Sequence, residues 1–223
     1  MKGIVLAAGR SKRYGSPKYF EEYKGKMFIE HNIEFLINND VKDICIVINE
    51  KEIEKFENVR KLYKEKANIV FRFQDKRFYG PAAGLFSADD YITESFVLLF
   101  SDNYYSGSFN FKEQLGKKDC LITYKKMNVS VDNLRYAYID DKSWFSSRWK
   151  VIEKPHEHYE GKYFCGFIVF SKWVRSKFNM LRVSRRGEYE ITNLINRLSS
   201  RKFVYLNIDW FDITYKSDLN LRQ

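Results

Sequence analysis

Four stretches of the chain are apolar almost without interruption: GIVLAA (3–8), DICIVIN (43–49), NIVFRF (68–73) and FVLLFSD (96–102). Such runs suit strands buried on both faces, the pattern of a parallel sheet. Between them the period lengthens. Phe28, Ile29, Ile33, Leu36 and Ile37 fall on one stripe of a helix over 28–39, the charged segment 51–66 is helix-compatible, and GPAAGLFSADDYI (80–92) opens a third helix with Pro81 in its first turn. Strand and helix in alternation predict an α/β architecture with helices on both sides of the sheet. After residue 118 the texture changes. CLITYKK, LRYAYID, RWKVIEK and YFCGFIVF read as strands with little helix between them, which predicts antiparallel pairs and a mixed, mostly parallel sheet. A helix over 188–200 and a strand over 202–208 close the chain. With no repeat, low-complexity tract or linker in view, one domain over 1–223 is expected.

Composition narrows the choice of partner. The 223 residues are 44% hydrophobic, enough for one sizeable core. Lys+Arg 39 against Asp+Glu 29 give a net charge of +10, but the basic residues are spread along the chain and form no arm for nucleic acid. Cys45, Cys120 and Cys165 are too far apart for a disulfide framework or a zinc pattern, which fits a reducing compartment. No stretch reaches the roughly 18 apolar residues of a membrane span, and MKGIVLAAGR meets a basic loop too early for a signal peptide. A cytoplasmic protein with neither membrane nor nucleic acid as partner is expected.

The chemistry concentrates after the first strand, in GRSKRYGSPK (9–18). In an open α/β sheet the ligand crevice lies beyond the carboxyl ends of the strands. A glycine there lets backbone N–H groups approach an anion, and Arg10, Lys12, Arg13 and Lys18 add positive charge, a combination suited to a polyphosphate. Neither G-x-x-x-x-G-K-[ST] nor G-x-G-x-x-G is present. On spacing alone a solvated basic loop joining strand to helix explains the residues equally well.

LAAGRSKRYGSPK resembles the L-A-[AG]-G-x-[GS]-x-R…P-K signature of the sugar-1-phosphate nucleotidyltransferases, and further segments resemble theirs in the same order. LLFSDNYYSG (98–107) is similar to L-x-x-G-D-N, VIEKP (151–155) to E-E-K-P, and YFCGFIVF (163–170) to a strand with a central glycine. RRGEYEITNLINRL (185–198) is similar to R-G-E-L-E-I-T-D-x-N, and WFDITYKSDL (210–219) to W-x-D-T-G-T. The features are nearest to glucose-1-phosphate thymidylyltransferase and its relatives. The resemblance implies a Rossmann-like, GT-A-type fold and an enzyme that joins a nucleoside triphosphate to a phosphorylated small-molecule acceptor, releases pyrophosphate and uses Mg2+.

Site roles follow from the resemblance residue by residue. Arg13 and Lys18 are expected to contact the triphosphate and neutralise its α-phosphate, with Lys154 as a further catalytic cation. Leu6, Ala7, Ala8, Gly9, Gln74, Gly80, Pro81 and Ala82 are expected around the nucleotide. Lys154 and Arg186 would hold the acceptor phosphate, Glu153 the acceptor hydroxyls, and Gly166 would leave room for the acceptor against its strand. Asp102 and Asp212 are the expected metal ligands. Three departures stand out. Ala137 replaces a glycine near the acceptor, Ile213-Thr214-Tyr215 replace Thr-Gly-Thr beside Asp212, and the Gln74-to-Gly80 spacing is longer, which leaves the base open. His156 and His158 read as a polar turn. The alternatives are a cytidylyltransferase for phosphocholine or a polyol phosphate, and a nucleotide sensor without turnover. Assembly into oligomers is left open.

Overall fold

The structure of the protein, a computed structural model, describes residues 1–9, 11, 14–128, 135–141, 149–155 and 160–220. Four strands form a parallel core in the order β5-β4-β1-β6: β1 (Lys2–Ala7), β4 (Asp43–Ile48), β5 (Asn68–Phe73) and β6 (Phe96–Phe100). Between β1 and β4 lie a small hairpin, β2 (Glu22–Tyr23) with β3 (Lys26–Met27), and helix α1 (Phe28–Asn38). Helix α2 (Ile53–Tyr63) joins β4 to β5, and α3 (Pro81–Ser87) joins β5 to β6. Strand alternation sends Val5, Ala7, Ile44, Ile46 and Ile48 to one core, closed by Ile29, Ile33, Phe56 and Val59 of α1 and α2. Ile4, Cys45, Val47 and Leu98 face the opposite core, closed by Ala82 and Leu85 of α3.

Beyond β6 the sheet turns antiparallel. Strand β11 (Gly161–Phe170) pairs with β6 and with β8 (Cys120–Met127), and its first residues pair with β9 (Tyr138–Asp140), which in turn pairs with β10 (Lys150–Ile152). Strand β12 (Arg201–Tyr205) runs parallel to β8, preceded by α5 (Ile191–Asn196), whose Ile191, Leu194 and Ile195 join the second core. Strand β7 (Asn103–Ser106) leaves the main sheet and pairs with β13 (Asp209–Asp212). Helices α4 (Phe111–Leu115) and α6 (Lys216–Asn220) complete the elements. The expected mostly parallel, mixed, helix-flanked sheet is the observed one.

Two expected helices are shorter. The third stops at Ser87, where the Ser87 hydroxyl turns back to the Ala83 carbonyl at 3.2 Å, and a separate turn over Asp89–Tyr91 follows. The last helix starts at Ile191 rather than 188 because the preceding backbone is already engaged. Ser184 N–H bonds to the Glu188 carbonyl at 2.8 Å, across a turn with Gly187 at φ 76°, and Tyr189 N–H bonds to the Tyr79 carbonyl at 2.7 Å.

Register places the site. Ala7 lies opposite Ile48, Ile48 opposite Phe73, and Leu6 opposite Phe100, so the parallel strands end almost level. Ala8, Asn49, Gln74 and Ser101 therefore follow at one edge, the carboxyl edge where such sheets bind ligands.

Candidate active site

A cleft of about 500 Å3 opens at that edge. Leu6, Ala8, Gly9 and Ser11 form its floor, Gln74, Tyr79, Gly80, Pro81 and Gly84 one wall, and Lys18, Asp102, Lys154 and Arg186 its charged side. A second cavity of about 150 Å3 adjoins it, sharing Pro81 and Phe100, and is lined by Glu153, Gly166, Ala137, Arg135 and Asp212 among others. Residues scattered from 6 to 212 thus meet in one place.

The loop after β1 is shaped by turns. Ser11 holds φ 45°, and its carbonyl accepts N–H bonds from Tyr14 and Gly15, both at 3.0 Å. Tyr14 is buried with Tyr23, Phe28, Tyr104 and Phe211, which anchors the middle of the loop. The loop ends in a turn over Lys18–Phe20 that delivers Lys18 to the cleft. Lys18 Nζ donates to Asp102 Oδ2 at 2.5 Å and to the Ile213 carbonyl at 2.7 Å. One ammonium therefore joins the ends of β6 and β13 to the loop after β1.

The β7–β13 pair sets the two aspartates side by side. Asn103 lies opposite Asp212 in register, and Ile213 N–H bonds to the Asp102 carbonyl at 2.9 Å. Asn103 Nδ2 donates to Asp102 Oδ1 at 2.8 Å while its Oδ1 accepts from Trp210 Nε1 at 2.7 Å, and this fixes the amide. Asp212 accepts from the Tyr136 hydroxyl and from Thr214 Oγ1 at 3.2 Å, and Arg135 Nη2 stands 3.6 Å away. Burial pushes the Asp212 carboxyl above the ordinary range, and Asp102 adds to the push against the pull of Arg135, Tyr136 and Lys18. Two hard carboxylates from separate strands suit a divalent cation such as magnesium, which takes one or two protein carboxylates and completes its shell with water and phosphate oxygens. The residues present fit that ion. Loss of the expected glycine beside Asp212 carries no strain, because neither Thr214 nor Tyr215 takes a positive φ. Asp218 Oδ2 instead accepts both of their N–H groups, at 2.7 and 2.9 Å.

Glu153 and Lys154 follow β10 directly and face different cavities. The device is backbone: Lys154 sits at φ 41°, a left-handed conformation that non-glycine residues avoid at about 1–2 kcal/mol. Burial raises the Glu153 carboxyl above its usual range, with Glu190 contributing. Arg186 lies 3.6 Å from Glu153 and 3.4 Å from both Glu188 and Glu190. It lines the larger cleft beside Lys154 rather than the smaller cavity.

Three expectations need correction. Ala7 and Ala82 do not line the cleft, because strand and helix periodicity turn both into the core, where they are fully buried. Gly166 does not make room on the cavity side. A Cβ there would point inward, 2.8 Å from Leu206 Cδ2, and the glycine is required by φ 83° in a bulge between Phe164 and Ile168. Thr123 Oγ1 staples that bulge: it lies 2.5 and 2.7 Å from the Cys165 and Phe167 carbonyls, either of which can take its one proton, and it accepts the Phe167 N–H at 3.1 Å. Arg13, His156 and His158 lie outside the described residues. Ser11, Tyr79, Asn103, Arg135 and Tyr136 were not anticipated as site residues, although each lies inside or next to a quoted motif.

Gly80 ties the cleft wall to the segment that precedes α5. At φ 108°, an added Cβ would sit 2.7 Å from the Tyr189 carbonyl oxygen, which accepts the Ala82 N–H at 2.9 Å.

The fold is that of the nucleotidyltransferases. Residues 3–105 match the MobA-like NTP transferase domain. The UTP–glucose-1-phosphate uridylyltransferase AglF of Haloferax volcanii is 26% identical over 230 residues, 98% of this chain and 93% of its own length. A bifunctional sugar-1-phosphate nucleotidylyltransferase/acetyltransferase of Sulfurisphaera tokodaii is 26% identical over 96% of this chain, which spans 52% of it. A crystal structure assigned to a glucose-1-phosphate thymidylyltransferase of Bacillus anthracis, in complex with sucrose, shares the fold with a TM-score of 0.84. It is 22% identical and aligned over 99% of this chain and 93% of its own.

Proposed function

We propose that the protein condenses a nucleoside triphosphate with a sugar 1-phosphate, giving a nucleotide-sugar and pyrophosphate for glycan assembly. The observation that carries this reading is Lys18 Nζ bridging Asp102, on the larger cavity, and the Ile213 carbonyl next to Asp212, which lines the smaller one. The triphosphate would occupy the larger cavity and the acceptor the smaller, so the reacting phosphates meet at the charged side. An acceptor phosphate oxygen attacks the α-phosphorus; a P–O bond forms, the α–β bridging bond breaks, and its electron pair leaves with pyrophosphate. The nucleophile is already anionic, so the chain's task is to cancel repulsion and align the two groups. Lys18, Lys154 and Arg186 supply positive charge, with Arg13 assigned the same role from its motif position. Glu153 accepts from acceptor hydroxyls in the smaller cavity. Asp102 and Asp212 would hold Mg2+, which when bound neutralises phosphate charge.

No helix among the described residues is long and apolar enough to cross a membrane, and all three cysteines are buried and free. Both facts accord with a cytoplasmic setting. The Ala137 methyl, at the wall of a small cavity, favours compact acceptors, so polyol phosphates belong beside hexose 1-phosphates in the test. That test is pyrophosphate release over a panel of triphosphates and phosphorylated acceptors with Mg2+. One pairing should stand out; nucleotide binding without pyrophosphate from any pairing would instead make the protein a sensor.

A further inference from the structure

How well Lys18 is aimed depends on how the loop before it is held, and its two ends are held by the same group. At the start, Asn49, the first residue beyond β4, donates from Nδ2 to the Ala8 carbonyl at 3.3 Å. At the far end Tyr19, adjacent to Lys18 and buried, donates from its hydroxyl to Glu52 Oε2 at 2.5 Å. That oxygen also accepts from Asn49 Nδ2, at 3.1 Å. The Tyr19 ring is packed against Phe20 and Phe56, with centroids 4.8 and 5.5 Å away, so the hydroxyl is committed to this partner. Burial, aided by Glu52, raises the Tyr19 phenol far above its usual range and keeps it a donor.

A carboxylate 8% exposed, at the entry to α2, is an unfavourable choice if packing is its only purpose. Desolvating it costs several kcal/mol, and an aliphatic residue would fill the same place without that cost. What a carboxylate adds is an oxygen able to take two donors at once: Tyr19, at the far end of the loop, and Asn49, which holds its start.

We propose that Glu52 is a positioning residue: through Asn49 and Tyr19 it fixes both ends of the loop that presents Lys18 to the triphosphate, without touching either substrate. The inference rests on the reading that this loop holds the triphosphate.

Tyr19→Phe, Glu52→Ala and Glu52→Gln test it, with triphosphate binding in Mg2+ measured calorimetrically and kinetics measured with each substrate varied in turn. Tyr19→Phe, which removes one hydroxyl, should lower kcat/KM for the triphosphate about tenfold while the acceptor KM moves less than about twofold. Glu52→Ala should lower it further, and Glu52→Gln, which keeps an acceptor oxygen, should recover most of the loss. Adding Glu52→Ala to Tyr19→Phe should cost clearly less than the sum of the two single losses, since both cut the same link. Triphosphate binding and turnover in Tyr19→Phe within about twofold of wild type, whatever its Tm, would overturn the proposal, as would equal losses for both substrates. If Glu52→Ala does not fold, Tyr19→Phe decides. A wild-type protein that binds no triphosphate defeats the functional reading instead.

Discussion

The two halves of the sheet build their shares of the site differently. In the parallel half, β1, β4, β5 and β6 are regular and end level, and their functional residues lie one or two positions beyond a strand end. Asp102, Gln74 and Gly9 are of this kind. In the antiparallel half the corresponding residues depend on irregularity: a left-handed Lys154, a bulge at Gly166 and a tight turn at Gly187. The matched family segment, residues 3–105, is almost wholly the regular half. Regular strand ends make a level platform for the larger cleft, whereas local distortion lets neighbouring residues face different cavities.

The comparison can be broken most directly in the regular half. Asp102→Ala should cut pyrophosphate release by about a thousandfold or more at saturating Mg2+, because strand-end charge acts on the transition state. Its thermal stability should change little, since the carboxylate is partly exposed. A loss below about tenfold would remove Asp102 from the metal site. In the irregular half, activity and stability should part company. Lys154→Gly should lower kcat about a hundredfold by removing the cation, while relief of the φ 41° strain stabilises the fold by about 0.5 kcal/mol net of glycine's extra freedom. Chemical denaturation beside steady-state kinetics reads both.

Gly166→Ala should destabilise by about 2 kcal/mol through φ 83° and the contact with Leu206, a cost measurable as a shift in denaturation midpoint at unchanged slope. The smallest effect is pH-dependent. Glu153 is held above the ordinary carboxylate range by burial and then by Glu190. Its protonation therefore sets in at higher pH than for an exposed glutamate, and the acceptor KM should rise as pH falls through that raised value. Its stability contribution has the opposite sense: fully present below the unfolded glutamate pKa, it is lost as pH rises through the raised folded value. Glu153→Gln should flatten both dependences and raise the acceptor KM about fivefold, as pH-resolved kinetics would show.

The same contrast explains what was legible beforehand. Strands buried on both faces announce themselves as continuous apolar runs, so β1, β4, β5 and β6 were found within a residue or two. The β7–β13 pair was not. It is four residues long and partly polar, and it joins Asn103 to Asp212 over more than a hundred positions, so no local period reveals it. Asp102 and Asp212 could be named from motifs, but their adjacency depends on that pairing. LRYAYID reads as one strand and hides Arg135 and Tyr136 in it, whereas the strand begins only at Tyr138. For Gly166 the residue was legible and its reason was not, since nothing in YFCGFIVF tells which way a bulge will turn.

Tyr189 binds the histories of the two sides of the larger cleft together. Its main chain is latched to Tyr79 and Ala82, against a glycine that tolerates no side chain, while its neighbours Arg186 and Glu188 face the cleft. A lineage that reshapes the backbone over residues 184–190 also shifts the wall at Tyr79 and Gly80. The two sides of that cleft must therefore drift as a pair, and altering one without retuning the other is the harder evolutionary step.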